Sequence, residues 1–194
     1  MKILKLIILS ALLSNCASYC KKEFKNELIA IDKSNLSNLN GTFESRPFRY
    51  FGKQSDWTKK DSLKTRKLLG IYEKLQNKSG QYDQPEVLDY EYVKMEFKSN
   101  EKLIYELISK DSILKTDTIN FKIKNGMIKL RNAFYKCEGI PFLFGGCRNG
   151  RVRIGLSDKN NLIINKSYDQ YGALLIVIGA GVNSNSTYEY QKIE

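Results

Sequence analysis

The feature that most constrains this chain is a two-residue alternation of apolar and polar side chains, restarting after one short turn after another. Val93, Met95 and Phe97 alternate with Lys94, Glu96 and Lys98, and Ser99-Asn100-Glu101 then reverses the chain into Leu103, Tyr105 and Leu107. Ile119, Phe121 and Ile123 alternate with Lys122 and Lys124 up to Asn125-Gly126, beyond which Ile128 and Leu130 continue. Successive strand residues point to opposite faces, so the pattern suits a sheet with one buried and one wet face. Asn-Gly tolerates the positive φ angles of a tight hairpin turn and is a strong hairpin signal. Val152 to Leu156 and Leu162 to Ile164 enclose a turn over Ser157 to Asn161, and Ala173 to Ile178 and Thr187 to Ile193 enclose another over Gly179 to Ser186. The total is about eight strands, close enough in sequence for neighbours to pair antiparallel.

One window reads as helix. Over Ser62 to Leu75, Leu68, Ile71, Tyr72 and Leu75 share a face, and Asp61 or Ser62 stands ready as the cap. The expected architecture for residues 39–194 is therefore mainly β, an antiparallel up-and-down barrel with one short helix. Closure into a barrel removes the unpaired edges that a sandwich would leave. Val93, Met95, Phe97, Leu103, Tyr105, Leu107, Phe121, Ile123, Tyr188 and Tyr190 are the inward-facing candidates. A barrel of this size either holds one small ligand or is filled by its own side chains.

Leu39-Asn40-Gly41-Thr42-Phe43 opens the first expected strand and resembles the start of a lipocalin-like domain. In that family a Gly-x-Trp closes the barrel floor. Phe43 stands here in the place of the tryptophan, and no arginine lies near the end of the last strand to pack on it. The resemblance implies a cup able to hold an apolar molecule or lipid, with Phe43 among its lining residues.

The N-terminus sets the expected location. Lys2 and Lys5 precede a short apolar run from Leu6 to Leu13, too short for the roughly 20 residues of a membrane span. A basic start followed by such a run reads as a secretory signal. Leu13-Ser14-Asn15-Cys16 resembles the lipobox of bacterial lipoproteins, and the chain as a whole is similar to small lipoproteins of Bacteroidetes-type bacteria. This resemblance implies a signal peptide over residues 1–15, cleavage before Cys16, and acyl chains on Cys16 that fix the protein to a membrane. Cys20, preceded by Ser18 and Tyr19, fits the lipobox poorly. Residues 16–38 then serve as a tether, within which Phe24, Leu28 and Ile31 sit at helical spacing. The placement expected is the cell envelope, at the outer membrane with the domain facing the periplasm.

The formal charge is +11, and the first fifteen residues carry Lys2 and Lys5 as their only charged side chains. From Glu44 to Lys78 the chain holds ten basic and four acidic residues, a segment suited to an anionic surface or an envelope partner through Lys59, Lys60, Lys64, Arg66 and Lys67. Export argues against nucleic acid. Outside the cytoplasm thiols tend to pair. Cys137 and Cys147 flank a stretch with a proline and three glycines that turns the chain back, and are the candidates for a disulfide.

The chemistry that the sequence lacks is equally informative. There is no histidine, so an imidazole-based Ser or Cys hydrolase is excluded, and a zinc site loses its commonest ligand. No G-x-S-x-G or P-loop pattern occurs. Gly145-Gly146 and Gly179-Ala180-Gly181 read as turn glycines, and Asp83, Glu86, Asp89 and Glu91 as a solvated acidic loop. Arg148, Arg151 and Arg153 offer guanidinium groups for an anion, with Arg151 and Arg153 on one strand face. The functional expectation is a non-catalytic barrel that binds a small apolar ligand or lipid, without metal or cofactor. The alternative is a filled barrel that docks to an envelope complex.

Overall fold

The alternation is realised as a single antiparallel sheet wrapped around an apolar interior. The structure, a computed structural model, describes residues 26–52, 70–77, 88–140, 144–174 and 178–194. Its strands are β1 (Leu28–Ile29), β2 (Gly41–Glu44), β3 (Arg49–Gly52), β4 (Tyr92–Lys98), β5 (Lys102–Ser109), β6 (Ser112–Lys124), β7 (Met127–Leu130), β8 (Phe134–Ile140), β9 (Phe144–Ser157), β10 (Leu162–Leu174) and β11 (Ile178–Tyr190). A 3-10 turn covers Leu36–Leu39, and helix α1 is a single turn, Ile71–Leu75.

The sheet runs in the order β2-β4-β5-β6-β7-β9-β10-β11-β3. β2 and β3 behave as one interrupted strand along β11. Arg49 to Gly52 lie opposite Glu189 to Ser186 in register. Beyond the interruption, Thr42 N donates to Glu194 O at 3.0 Å and Ile193 N donates to Thr42 O at 2.8 Å. β2 also pairs with β4, so the last residues of the chain close the ring onto its first strand. β7 and β8 are likewise successive parts of one strand on β9, with Ile128 opposite Ile154 and Phe134 opposite Gly150. The result is an up-and-down, lipocalin-like barrel.

Each tight turn has the backbone its residues favour. Asn125 and Gly126 take φ of 55° and 71°, and Lys110 and Asp111 take 47° and 62° between β5 and β6. Glu101 and Asn160 adopt positive φ after β4 and before β10. The turn expected over Gly179 to Ser186 is instead strand, the first part of β11, with Ala180 opposite Gly172. Gly145 and Gly146 also lie within a strand, β9, rather than a turn. A Cβ on Gly146 would stand 2.9 Å from Tyr171 O and one on Gly181 3.0 Å from Gln170 O, so these glycines permit close strand approach.

One end of the barrel is a floor, built by residues expected to be tether. Leu28 and Ile29 extend the sheet on β9, opposite Ser157 and Leu156, instead of forming a helix. Ile31, Leu36 and Leu39 are buried. Asn40 Oδ1 accepts from Phe97 N at 2.7 Å, and Ile31 N donates to Gly126 O at 3.0 Å. The apolar residues of this segment find burial against the barrel and so cannot remain a free tether. Phe24 lies outside the described residues.

Of the helix expected over 62–75, only the end is among the described residues, and there it is α1, preceded by Gly70 in extended conformation. Ile71 N donates to Ser45 O at 3.1 Å, anchoring α1 to the chain between β2 and β3. Ile71, Tyr72 and Leu75 turn into the barrel and are buried.

Candidate functional site

The floor half of the interior is packed. Phe43, Val93, Met95, Phe97, Leu103, Tyr105, Leu107, Phe121, Tyr188 and Tyr190 all fall on the inner face and belong to one buried cluster, with Ile123 half-buried against it. Phe97 and Phe121 meet edge to face with centroids 5.7 Å apart, and α1 adds Tyr72, whose ring lies 6.4 Å from both Tyr90 and Tyr105. Strand phase thus brings together the side chains named from sequence, and they contact one another.

Polar groups stitch α1 into this core. Tyr90 OH accepts from Tyr72 N at 2.9 Å and donates to Glu73 Oε2 at 2.8 Å. Gln76 Nε2 donates to Tyr105 OH, which donates to Asp117 Oδ2. Lys115 Nζ donates to Tyr72 OH at 2.8 Å. Asn77 Nδ2 bridges Asn132 O and Gly150 O, at 2.9 and 3.0 Å. Burial raises the Glu73 carboxyl against the pull of its hydrogen bonds, and its Oε1 is buried without a partner.

The opposite end, the mouth, has another character. Here β9, β10 and β11 run beyond the packed core, and the alternation of β10 carries Lys166 inward in line with Leu162 and Ile164. Its register neighbours are Val152 on β9 and Ser186 on β11. Lys74 approaches the same space from α1, with Nζ 4.4 Å from the centroid of the Tyr188 ring. Burial pushes both ammonium groups down to about 8, and the charge of Lys74 adds to the effect on Lys166. Both keep part of their surface open to solvent, so they lie deep yet within reach.

Further out on the inner face, Arg148 and Lys136 share one carboxylate, Glu138, at 2.9 and 2.7 Å. Exposed apolar side chains at this end include Tyr92, Ile113 and Leu114 at strand termini and Val182 on the inner face of β11, whereas Tyr135 and Tyr171 lie on the outer face opposite Asn149 and Cys147. Phe134 and Tyr168 pack at 6.3 Å between the core and the rim.

The remaining candidates disperse. Cys137 and Cys147 face each other across the β8–β9 pair and are joined by a disulfide with Cα atoms 4.0 Å apart. Arg151 and Arg153 point to the outer face, away from Arg148, because their positions differ in parity; the three do not converge. Asp89 and Glu91 precede β4 at the mouth, whereas Asp83, Glu86, Cys16, Cys20 and Lys59 to Lys67 lie outside the described residues. Among the described residues no group of His, Cys, Asp and Glu is placed to hold a metal, and no helix is long and apolar enough to cross a membrane.

Two features of the site were not found by sequence reasoning. Lys166 follows from extending the inward phase of Leu162 and Ile164 by two residues. Lys192 closes the floor, 5.9 Å over the Phe43 ring, where an arginine had been sought. No family model, no curated protein and no solved structure matches the chain.

Proposed function

We propose that this protein is a non-catalytic binding protein of the cell envelope, anchored through acyl chains on Cys16, whose barrel takes up a lipid or another small apolar molecule. The observation that carries the reading is the contrast between the two ends of the interior. The floor is packed with buried side chains, while toward the mouth the inner face becomes exposed at Lys136, Glu138, Gln170 and Val182, beside the exposed apolar side chains of Tyr92, Ile113 and Leu114. Apolar surface gathered at one end of a barrel favours an amphiphile there, because each buried methylene contributes about 0.8 kcal/mol. The binding place in this reading is the mouth, with the residues named from sequence serving as its rigid base. Location at the outer membrane, facing the periplasm, belongs to the same proposal.

Native mass spectrometry of the protein purified from its own membranes tests it. A discrete added mass that disappears on denaturation, together with uptake of lipid from vesicles, is the expected result. A bare protein mass with no uptake from vesicles sinks the reading.

A second reading, docking to an envelope complex, is favoured by a different surface. Lys122, Lys124, Lys129, Arg151 and Arg153 gather on the outer wall of β6, β7 and β9, with Lys122 opposite Lys129 and Lys129 opposite Arg153. Lys129 is pushed down by burial first and then by the charges of the other four. Such a wall attracts an acidic partner. Reversing Lys122 and Lys124 to Glu is expected to abolish co-purification of that partner; unchanged co-purification counts against docking through this wall.

A further inference from the structure

We infer that the inner face of the mouth is an oxyanion site, in which the ammonium groups of Lys74 and Lys166 hold the phosphate or carboxylate head of an anionic lipid. The inference rests on the reading of the barrel as a lipid binder and names the chemistry that the mouth selects.

The two lysines are set apart by what they lack. Among the described residues neither has a carboxylate within ion-pair distance, although Arg49, Arg131 and Arg148, all nearer the surface, each have one. Glu73, the carboxyl whose charge acts on Lys74, spends Oε2 on the Tyr90 hydroxyl, and burial favours its neutral form. Among the described residues Lys74 meets the face of Tyr188, and Lys166 lies between the inward positions of Val152 and Ser186. Two like charges on facing elements repel each other and are poorly solvated, an arrangement that costs folding free energy unless an anion completes it. Methionine would fill either position without that cost. Uncompensated charge on an inner face that solvent still reaches is the pattern of a binding site rather than of a structural ion pair.

The surroundings fit an amphiphile. Arg148 and Lys136, sharing the single carboxylate of Glu138, leave a net positive path from the rim toward the two lysines. Tyr188 and the Phe134–Tyr168 pair offer apolar surface beside it for an acyl chain. Ammonium groups act as point charges with rotatable donors and accept phosphate or carboxylate alike, so the site selects charge before shape.

The test uses the full-length protein with three probes: inorganic phosphate, and phosphatidylglycerol and phosphatidylcholine carrying identical acyl chains. Wild-type protein is expected to prefer phosphatidylglycerol by about tenfold for each lysine engaged. Lys74→Met with Lys166→Met is expected to erase the preference, and Lys74→Arg with Lys166→Arg to retain it. A circular dichroism spectrum and a cooperative melt like those of wild type show that the methionine variant is folded. Equal affinity of wild-type protein for the two lipids overturns the oxyanion site but leaves the lipid reading standing. Saturable binding of phosphate without uptake of either lipid keeps the oxyanion site, assigns it to a free anion and overturns the lipid reading. Binding of none of the three overturns both.

Discussion

The Lys192 ammonium lies 5.9 Å over the ring of Phe43 and donates to Asn40 O at 2.6 Å and Asn38 O at 3.2 Å. One side chain from the end of the last strand thus ties together the first strand and the 3-10 turn that floors the barrel. The geometry also explains Gly41. Its φ is +150°, and a Cβ there would stand 2.4 Å from Lys192 Cε and 2.2 Å from Glu194 O.

Lys192→Ala is expected to destabilise by about 1–2 kcal/mol, the sum of a cation–π contact and a charge-assisted hydrogen bond, and Lys192→Arg to recover most of it. Gly41→Ala should cost more, because backbone carbonyl Glu194 O must move and the ring closure moves with it. Urea unfolding of the three variants checks both statements. Equal stability of Lys192→Ala and wild type would remove Lys192 from the closure.

The disulfide closes a loop with a sequence separation of only 10, on a strand pair that extends beyond the barrel wall. The loop-entropy argument assigns it roughly 3 kcal/mol. Because β8 pairs with β9 alone among the described strands, its loss should loosen that hairpin before the barrel. After reduction, amide exchange is expected to rise over 134–150 and to stay unchanged over β4, β5 and the floor. A uniform rise across the barrel would contradict this local role.

Much of the barrel was legible because its strands carry a one-sided pattern. Val93, Met95 and Phe97 set an inward phase that Leu103, Tyr105 and Leu107 answer across the hairpin. The signal fades toward the mouth, where both faces of β10 are polar: Lys166, Tyr168 and Gln170 inward, Asn165, Ser167 and Asp169 outward. An alternation of apolar and polar residues cannot report a strand with no apolar face. That is why β10 was expected to end at Ile164 and why Lys166 went unseen. Gly179 to Ser186 misled for a related reason. Glycine, asparagine and serine favour turns, yet here the glycines let β11 press against β10 and tertiary pairing overrides local preference. Lys192 takes the place that the lipocalin-like pattern gives to arginine, because an ammonium meets a ring face as readily.

Glu73 makes a sharper test of the α1 packing. Its carboxyl is raised by burial, so the folded state holds the proton to higher pH than the unfolded chain does. The penalty for its charge is therefore absent below the unfolded value and grows as pH rises through the folded one. Glu73→Gln is expected to be at least as stable as wild type at pH 7 and to lose that advantage near pH 4. Tyr90→Phe should cost about 1–3 kcal/mol, since it leaves Glu73 Oε2 and Tyr72 N without their shared partner. Thermal unfolding of both variants across this range decides it, and a Glu73→Gln variant that is less stable at pH 7 would contradict the assignment.

Lys74 and Lys166 give the protein an unusual dependence on alkaline pH. Each falls from an ordinary value of 10.5 to about 8 in the folded state. Between those values the unfolded chain binds more protons than the folded one, so stability rises with pH. The groups that face the pair from the packed elements are Glu73 on α1, Tyr188 on β11, and Arg148, Lys136 and Glu138 further out on β9 and β8. Tyr90, Tyr105, Tyr188 and Tyr190 are all held up by burial, and the unfolded chain loses their protons first near the ordinary phenol value of 10.0, which turns the trend downward above that point. The melting temperature of wild-type protein is thus expected to climb between about pH 7.5 and 9.5. The double methionine variant should melt higher at pH 7 and show no climb, because the two titrating groups are gone. Saturating phosphatidylglycerol should also flatten the wild-type profile, since an oxyanion between the lysines restores their protons. An identical climb in the double variant would place the titration elsewhere and remove the strain from the mouth.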